Sequence, residues 1–132
     1  MSEVSSEWLR LALQDYDTAK FLYTCRWPRP VEIICFHCEQ AVEKLLKWVL
    51  VEHGVEPMRT HAVEDLCLRV IDIVPGFKNY LHVCASLTPF GVQARYPSPI
   101  QLDEDSATGA LDACQKIFMF AKSVWDFDMS DG

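Results

Sequence analysis

FHCEQAVEKLLKWVL, residues 36–50, sets apolar side chains around most of a helix and leaves His37, Gln40, Glu43, Lys44 and Lys47 on one narrow stripe. A helix that is apolar nearly all round is buried on most of its circumference and belongs at the centre of a bundle. Its few ionisable groups then face a slot between helices or a partner, because desolvation penalises any charge left without a mate.

Working outward, the rest of the chain reads as helix as well. From about Ser6, Leu9, Ala12, Tyr16, Ala19 and Tyr23 recur at spacings of three and four, with Arg10, Gln14, Asp17 and Lys20 filling the other side. Ser5 or Ser6 is the expected cap, and Glu7 complements the dipole. Trp27-Pro28-Arg29-Pro30 breaks that helix, Pro30 suits the first turn of the central one, and Gly54 closes it. Thr60 is the expected N-cap of a third helix with Val63, Leu66, Cys67, Val70, Ile71 and Val74 inward, stopped by Pro75-Gly76. A fourth helix runs from Phe77 to about Leu87, and the proline-rich stretch Thr88–Gln101 reads as an ordered loop. The acids Asp103, Glu104 and Asp105, with Ser106, open the last helix, whose core face is Ala107, Leu111, Cys114, Ile117 or Phe118, Ala121 and Trp125. No alternating strand pattern and no repeat interrupts this sequence. The expectation is an all-α, up-and-down bundle of about five helices, mainly antiparallel, forming one domain over residues 1–132.

Composition excludes several function classes. Lys44 and Lys47 interrupt the longest apolar run, so no membrane span is expected, and MSEVSSEW lacks the basic start and apolar stretch of a signal peptide, which points to the cytoplasm. The formal charge is −7, with −5 of it in residues 103–132. Non-specific nucleic-acid binding needs a basic surface that this chain does not supply; only Lys44, Lys47, His61 and Arg95 could gather around an anion, and that anion would be nucleotide-sized. Cys35, Cys38, Cys67, Cys84 and Cys114 fall on apolar helix positions, where reduced thiols act as small hydrophobes. Cys35 and Cys38 have the spacing of a redox or zinc pair but neither a preceding strand nor a second ligand pair, so no metal and no cofactor is expected. Glycines 54, 76, 91 and 109 are isolated rather than gathered in a phosphate loop, and no serine sits in a nucleophile elbow.

Three segments resemble a known family. FHCEQAVEKLLKWVL is similar to the signature helix of HEPN domains, the "higher eukaryotes and prokaryotes nucleotide-binding" helical bundles, with their aromatic-His-x-x-Gln-Ala-x-Glu-Lys-x-x-Lys run. THAVEDL resembles their Thr-His-acidic-Leu segment, and Ala94-Arg95-Tyr96-Pro97 their Arg-Tyr-Pro turn; the three occur in family order. The resemblance implies a bundle that pairs into homodimers and works beside a minimal nucleotidyltransferase. The matched polar positions are Gln40, Glu43, Lys44, Lys47, His61, Arg95 and Tyr96, and the implied role is nucleotide or partner binding. Toxin members of toxin–antitoxin pairs in this superfamily cleave RNA with an Arg followed four to six residues later by His. No arginine of this chain has a histidine at that spacing, which points away from an enzyme and to the type lacking the nuclease motif, and assigns no catalytic residue. The alternative is a divergent ribonuclease whose site, with His61 and Arg95, assembles across a dimer.

The matched groups admit structural roles too. His61 can bridge the third helix to the second, or present a neutral ring to a ligand, since a helix N-terminus disfavours its protonated form. Glu43 and Lys47 stand in the favourable order for an i,i+4 pair, leaving Lys44 as the spare cation. Arg95 and Tyr96 offer a guanidinium fork and an aromatic face for phosphate and base, while the same fork could instead close over Glu43. Four tryptophans and seven phenylalanines exceed what so small a core needs, so some are expected at a homodimer interface.

Overall fold

The computed structural model describes residues 3–93 and 101–129. It is all-helical there, with α1 at Glu3–Cys25, α2 at Val31–Glu52, α3 at Val63–Ile71, a 3₁₀ turn at Pro75–Tyr80, α4 at Leu81–Leu87, α5 at Phe90–Gln93 and α6 at Glu104–Trp125. The expected fourth helix is thus a 3₁₀ turn running into α4. One turn of helix, α5, also forms inside the stretch read as loop, where Gly91 N–H bonds Thr88 O at 3.2 Å. Arg95 and Tyr96 lie outside the described residues.

The central helix is α2, packed against α1, α6, α3 and α5. Its start and end follow local chemistry. Pro30 stands at the N-cap, one residue before its expected place. At the other end Gly54 takes φ +73°, and the amides of Gly54 and Val55 reach back to Val51 O and Leu50 O at 3.1 and 2.8 Å. That is a Schellman closure, whose left-handed residue glycine adopts without steric conflict.

Contacts fix the directions. Ser5, near the start of α1, bonds Glu52 at the end of α2, so these two are antiparallel. Trp48 packs edge-on against Trp125 at 5.6 Å, and Arg29, just before α2, pairs with Glu104 at the start of α6 at 3.1 Å. α2 and α6 therefore run parallel, an arrangement made possible by the α3–α5 crossover between them and not expected from short connections alone. α1 is antiparallel to both, with Tyr16 against Phe118 at 4.7 Å.

The core holds the anticipated inward faces: Leu9, Ala12, Tyr16 and Ala19 of α1, Val63, Leu66, Cys67 and Val70 of α3, and Ala107, Cys114, Ile117, Phe118 and Ala121 of α6. Leu111, Trp125, Ile71 and Val74 are only partly buried. Two caps differ from expectation. Ser5 lies inside α1, buried against Glu52. Thr60 does not cap α3; its hydroxyl accepts from Ala62 N–H at 3.0 Å, and the first amide of the helix, Val63 N–H, goes to Thr88 Oγ1 at 3.0 Å. The hydroxyl that satisfies α3 thus arrives from a distant turn, which no local spacing reveals. The acidic cluster opens α6 as expected, and within it Asp103 is the cap, in a reciprocal box with Ser106.

All six cysteines are free, with Cys25 exposed and five buried. Burial pushes the Cys35 thiol up to about 12 and raises that of Cys114, so these sulfurs stay protonated and unreactive. Among the described residues no helix is long and apolar enough to cross a membrane.

Candidate functional site

The polar stripe of α2 forms as the spacing predicts, and its two edges find different neighbours. On the α1 side, His37 Nδ1 lies 2.9 Å from Asp15 Oδ1 and Lys44 Nζ 2.5 Å from Asp15 Oδ2. Burial works against the charge on Asp15, but the hydrogen bonds from His37 and Lys44 outweigh it and hold the carboxyl below its ordinary range. Lys44 is therefore not the spare cation; it is tied to α1.

On the opposite edge Glu43, whose side chain is 5% exposed, holds His61 Nδ1 at 2.9 Å and Lys47 Nζ at 3.7 Å. The expected Glu43–Lys47 pair is present, and His61 does join the segment before α3 to α2. Lys47 also stands 5.5 Å from the ring of Trp8. The His61 side chain is 82% exposed although its partner is buried, so a surface ring is fixed from beneath. Because an ionised carboxylate only accepts, Nδ1 donates in both His37 and His61, and each ring turns its Nε2 away from its carboxylate.

Between the edges Gln40 Nε2 donates to Glu39 Oε2 at 2.9 Å. Glu39 is fully buried, and among the described residues its Oε1 has no hydrogen-bond partner. Burial pushes its carboxyl up to about 7; the nearby charge of Glu43 adds to the rise, while the Gln40 bond and the charges of Lys47 and Lys44 oppose it. Gly91 of α5 lies directly over this carboxylate: a Cβ there would stand 2.7 Å from Oε2.

The structure brings together Gln40, Glu43, Lys44, Lys47 and His61 along α2; Arg95 and Tyr96 fall outside the described residues. Sequence reasoning passed over Asp15 and Glu39. Both carried a signal. Asp15 is three residues after Ala12 and four before Ala19, on the buried side of α1, and Glu39 is the one charged residue on the row Cys35, Cys38, Val42, Leu46.

The chain as a whole resembles solved structures. TT1696 from Thermus thermophilus superposes with a TM-score of 0.78 at 22% identity, covering 92% of this chain and 98% of that one. ST0689, an archaeal HEPN homologue, superposes with a TM-score of 0.68 at 20% identity, covering 93% and 98%. No curated protein matches. Residues 5–124 match the HEPN domain, and the chain, in its sequence and in its bundle, belongs to the HEPN family.

Proposed function

We propose that this HEPN domain is a binding module for a nucleotide, or for a minimal nucleotidyltransferase that carries one, and that it acts through the stripe of Gln40, Glu43, Lys44 and Lys47 together with His61, Arg95 and Tyr96. One observation carries the reading: a ring as exposed as His61 is oriented by a buried carboxylate that also holds Lys47. Orienting a surface imidazole removes rotamer freedom before any partner arrives, which favours binding over mere surface solvation. Unprotonated Nε2 can then accept from a partner's N–H or O–H, and protonated Nε2 can donate to a phosphate oxygen. In this reading the Asp15 and Glu43 carboxylates fix Lys44 and Lys47 in place, and the two ammonium groups offer hydrogen-bond donors rather than an excess of positive charge. The chain works as a homodimer, for which the exposed Phe21 (63%) and Trp27 (72%) supply apolar surface. Calorimetric titration with ATP, and separately with a small nucleotidyltransferase encoded beside the gene, tests the proposal. Binding by the wild type that falls at least tenfold in His61→Ala and Lys47→Ala supports it. Equal affinity in all three proteins, or no binding of either partner, contradicts it.

A further inference from the structure

We propose that Glu39 is a proton-operated latch for α5: with the proton bound α5 packs against α2, and loss of the proton sets a buried charge against the α5 backbone and weakens that packing. The latch stands independently of the binding reading above.

Three observations point to it. Glu39 is buried completely, and among the described residues one carboxylate oxygen is bonded only to its neighbour Gln40 and the other to nothing. Such a group is tolerated far better neutral than ionised, since an orphaned hydroxyl costs much less to bury than an orphaned charge. Second, the charged groups around it are already engaged. Lys44 is held by Asp15 and Lys47 by Glu43, while Glu43 itself also binds His61 and presents a like charge to Glu39. On the α5 side the neighbours Phe90 and Gly91 carry no charge, and the nearby acid Glu64 of α3 is bonded by Thr88, the residue to which the Gly91 amide also bonds. Lys47 and Lys44 favour the ionised form of Glu39 from a distance, but each is already paired with another carboxylate and neither hydrogen-bonds Glu39 among the described residues.

Third, the contact is close. The α5 backbone passes at Gly91 where a single added carbon would stand 2.7 Å from Oε2 and 2.9 Å from Cδ of Glu39. An ionised carboxylate recruits water, and at this spacing there is no room for water unless α5 moves away. The ionisation of Glu39, raised by burial to about 7, falls where modest changes of pH act on it. α5 is one helical turn, so few other contacts hold it against such a shift.

The test is amide hydrogen exchange over residues 88–93 of the full chain between about pH 5 and pH 8, corrected for the intrinsic pH dependence of exchange and referred to the amides of α1. In the wild type, protection of this segment should fall at least about tenfold as pH rises from about 5 towards 7 and then level off, while α1 stays level. In Glu39→Gln, which keeps the shape and cannot ionise, the profile should be flat. Uniform protection in the wild type, or the same slope in Glu39→Gln, overturns the latch. Should Glu39→Gln fail to fold, the carboxyl carbon of Glu39 observed by NMR in the wild type decides: a midpoint where the loss of protection levels off supports the latch, and titration in the ordinary carboxylate range refutes it.

Discussion

A partly buried carboxylate and a fully buried one, on either side of α2, show what burial does and does not decide. At the α1–α2 seam Asp15 is met by an imidazole and an ammonium, and its carboxyl is held below the ordinary range. At the α2–α5 contact Glu39 meets a side-chain amide and a backbone, and its carboxyl rises to about 7. Both groups are desolvated. The difference lies in compensation: two charge-assisted hydrogen bonds reverse the effect of burial at one site, and their absence leaves it standing at the other.

The comparison sharpens by substitution. Leu45→Ala, which removes a fully buried side chain from the same helix without touching either carboxylate, should cost roughly 2–5 kcal/mol and sets the scale in thermal or urea unfolding. Asp15→Ala, leaving His37 and Lys44 half-buried and unpaired, should lose on the order of 2–3 kcal/mol. Lys44→Ala should likewise destabilise measurably, which distinguishes an engaged cation from a free one. If Asp15→Ala unfolds like wild type, the seam pairing is surface decoration and the contrast with Glu39 fails.

The pH dependence of stability should separate the two sites by sign. Asp15 binds its proton less readily when folded, so its contribution is present above the unfolded carboxylate range near 4 and is lost as pH falls through the lower folded value. Glu39 binds its proton more readily when folded. Its penalty is absent below about 4.5, grows as pH rises towards about 7 and is constant above that. Glu39→Gln should therefore match wild type in stability near pH 4 apart from a pH-independent offset, and gain on the order of 1–3 kcal/mol over it by pH 8. Denaturant midpoints measured from pH 4 to 8 check this, and a difference that does not grow with pH contradicts the assignment.

The smallest expected effect on stability is at His61. Being largely exposed, it should cost less than about 1 kcal/mol when changed to Ala, since Glu43 keeps Lys47. The same variant bears on catalysis: purified wild type and His61→Ala should degrade single-stranded and structured RNA indistinguishably. Cleavage by the wild type that His61→Ala and Arg95→Ala both abolish would replace the binding module by the ribonuclease.

Much of the bundle was legible because periodicity reports directly on burial. The inward rows of α1, α3 and α6, the Gly54 closure and the Asp103 start all follow from spacing and cap chemistry within a few residues. What escaped were features that depend on partners far apart in the chain. Thr88 supplies the cap of α3, Ser5 turns inward to Glu52, and the parallel course of α2 and α6 depends on how the crossover packs. Of the stripe, the Glu43–Lys47 pair could be read from an interval of four. Lys44 could not, because its partner Asp15 lies on another helix and the helix-local rule assigns it none. Glu39 shows the reverse failure: its position on an apolar row was visible, but a charged residue on such a row has meaning only once the surrounding charges are known to be paired.

The central claim is that a buried carboxylate presents the His61 ring to a ligand, and the nitrogen-15 spectrum of that imidazole during titration with ATP tests it most directly. The account predicts a proton on Nδ1 in the free protein near pH 8 and a saturable shift at Nε2 as ATP is added, lost when Glu43 is replaced by Gln. An imidazole that shows both tautomers in rapid exchange, and that does not respond either to ATP or to the nucleotidyltransferase, would contradict it.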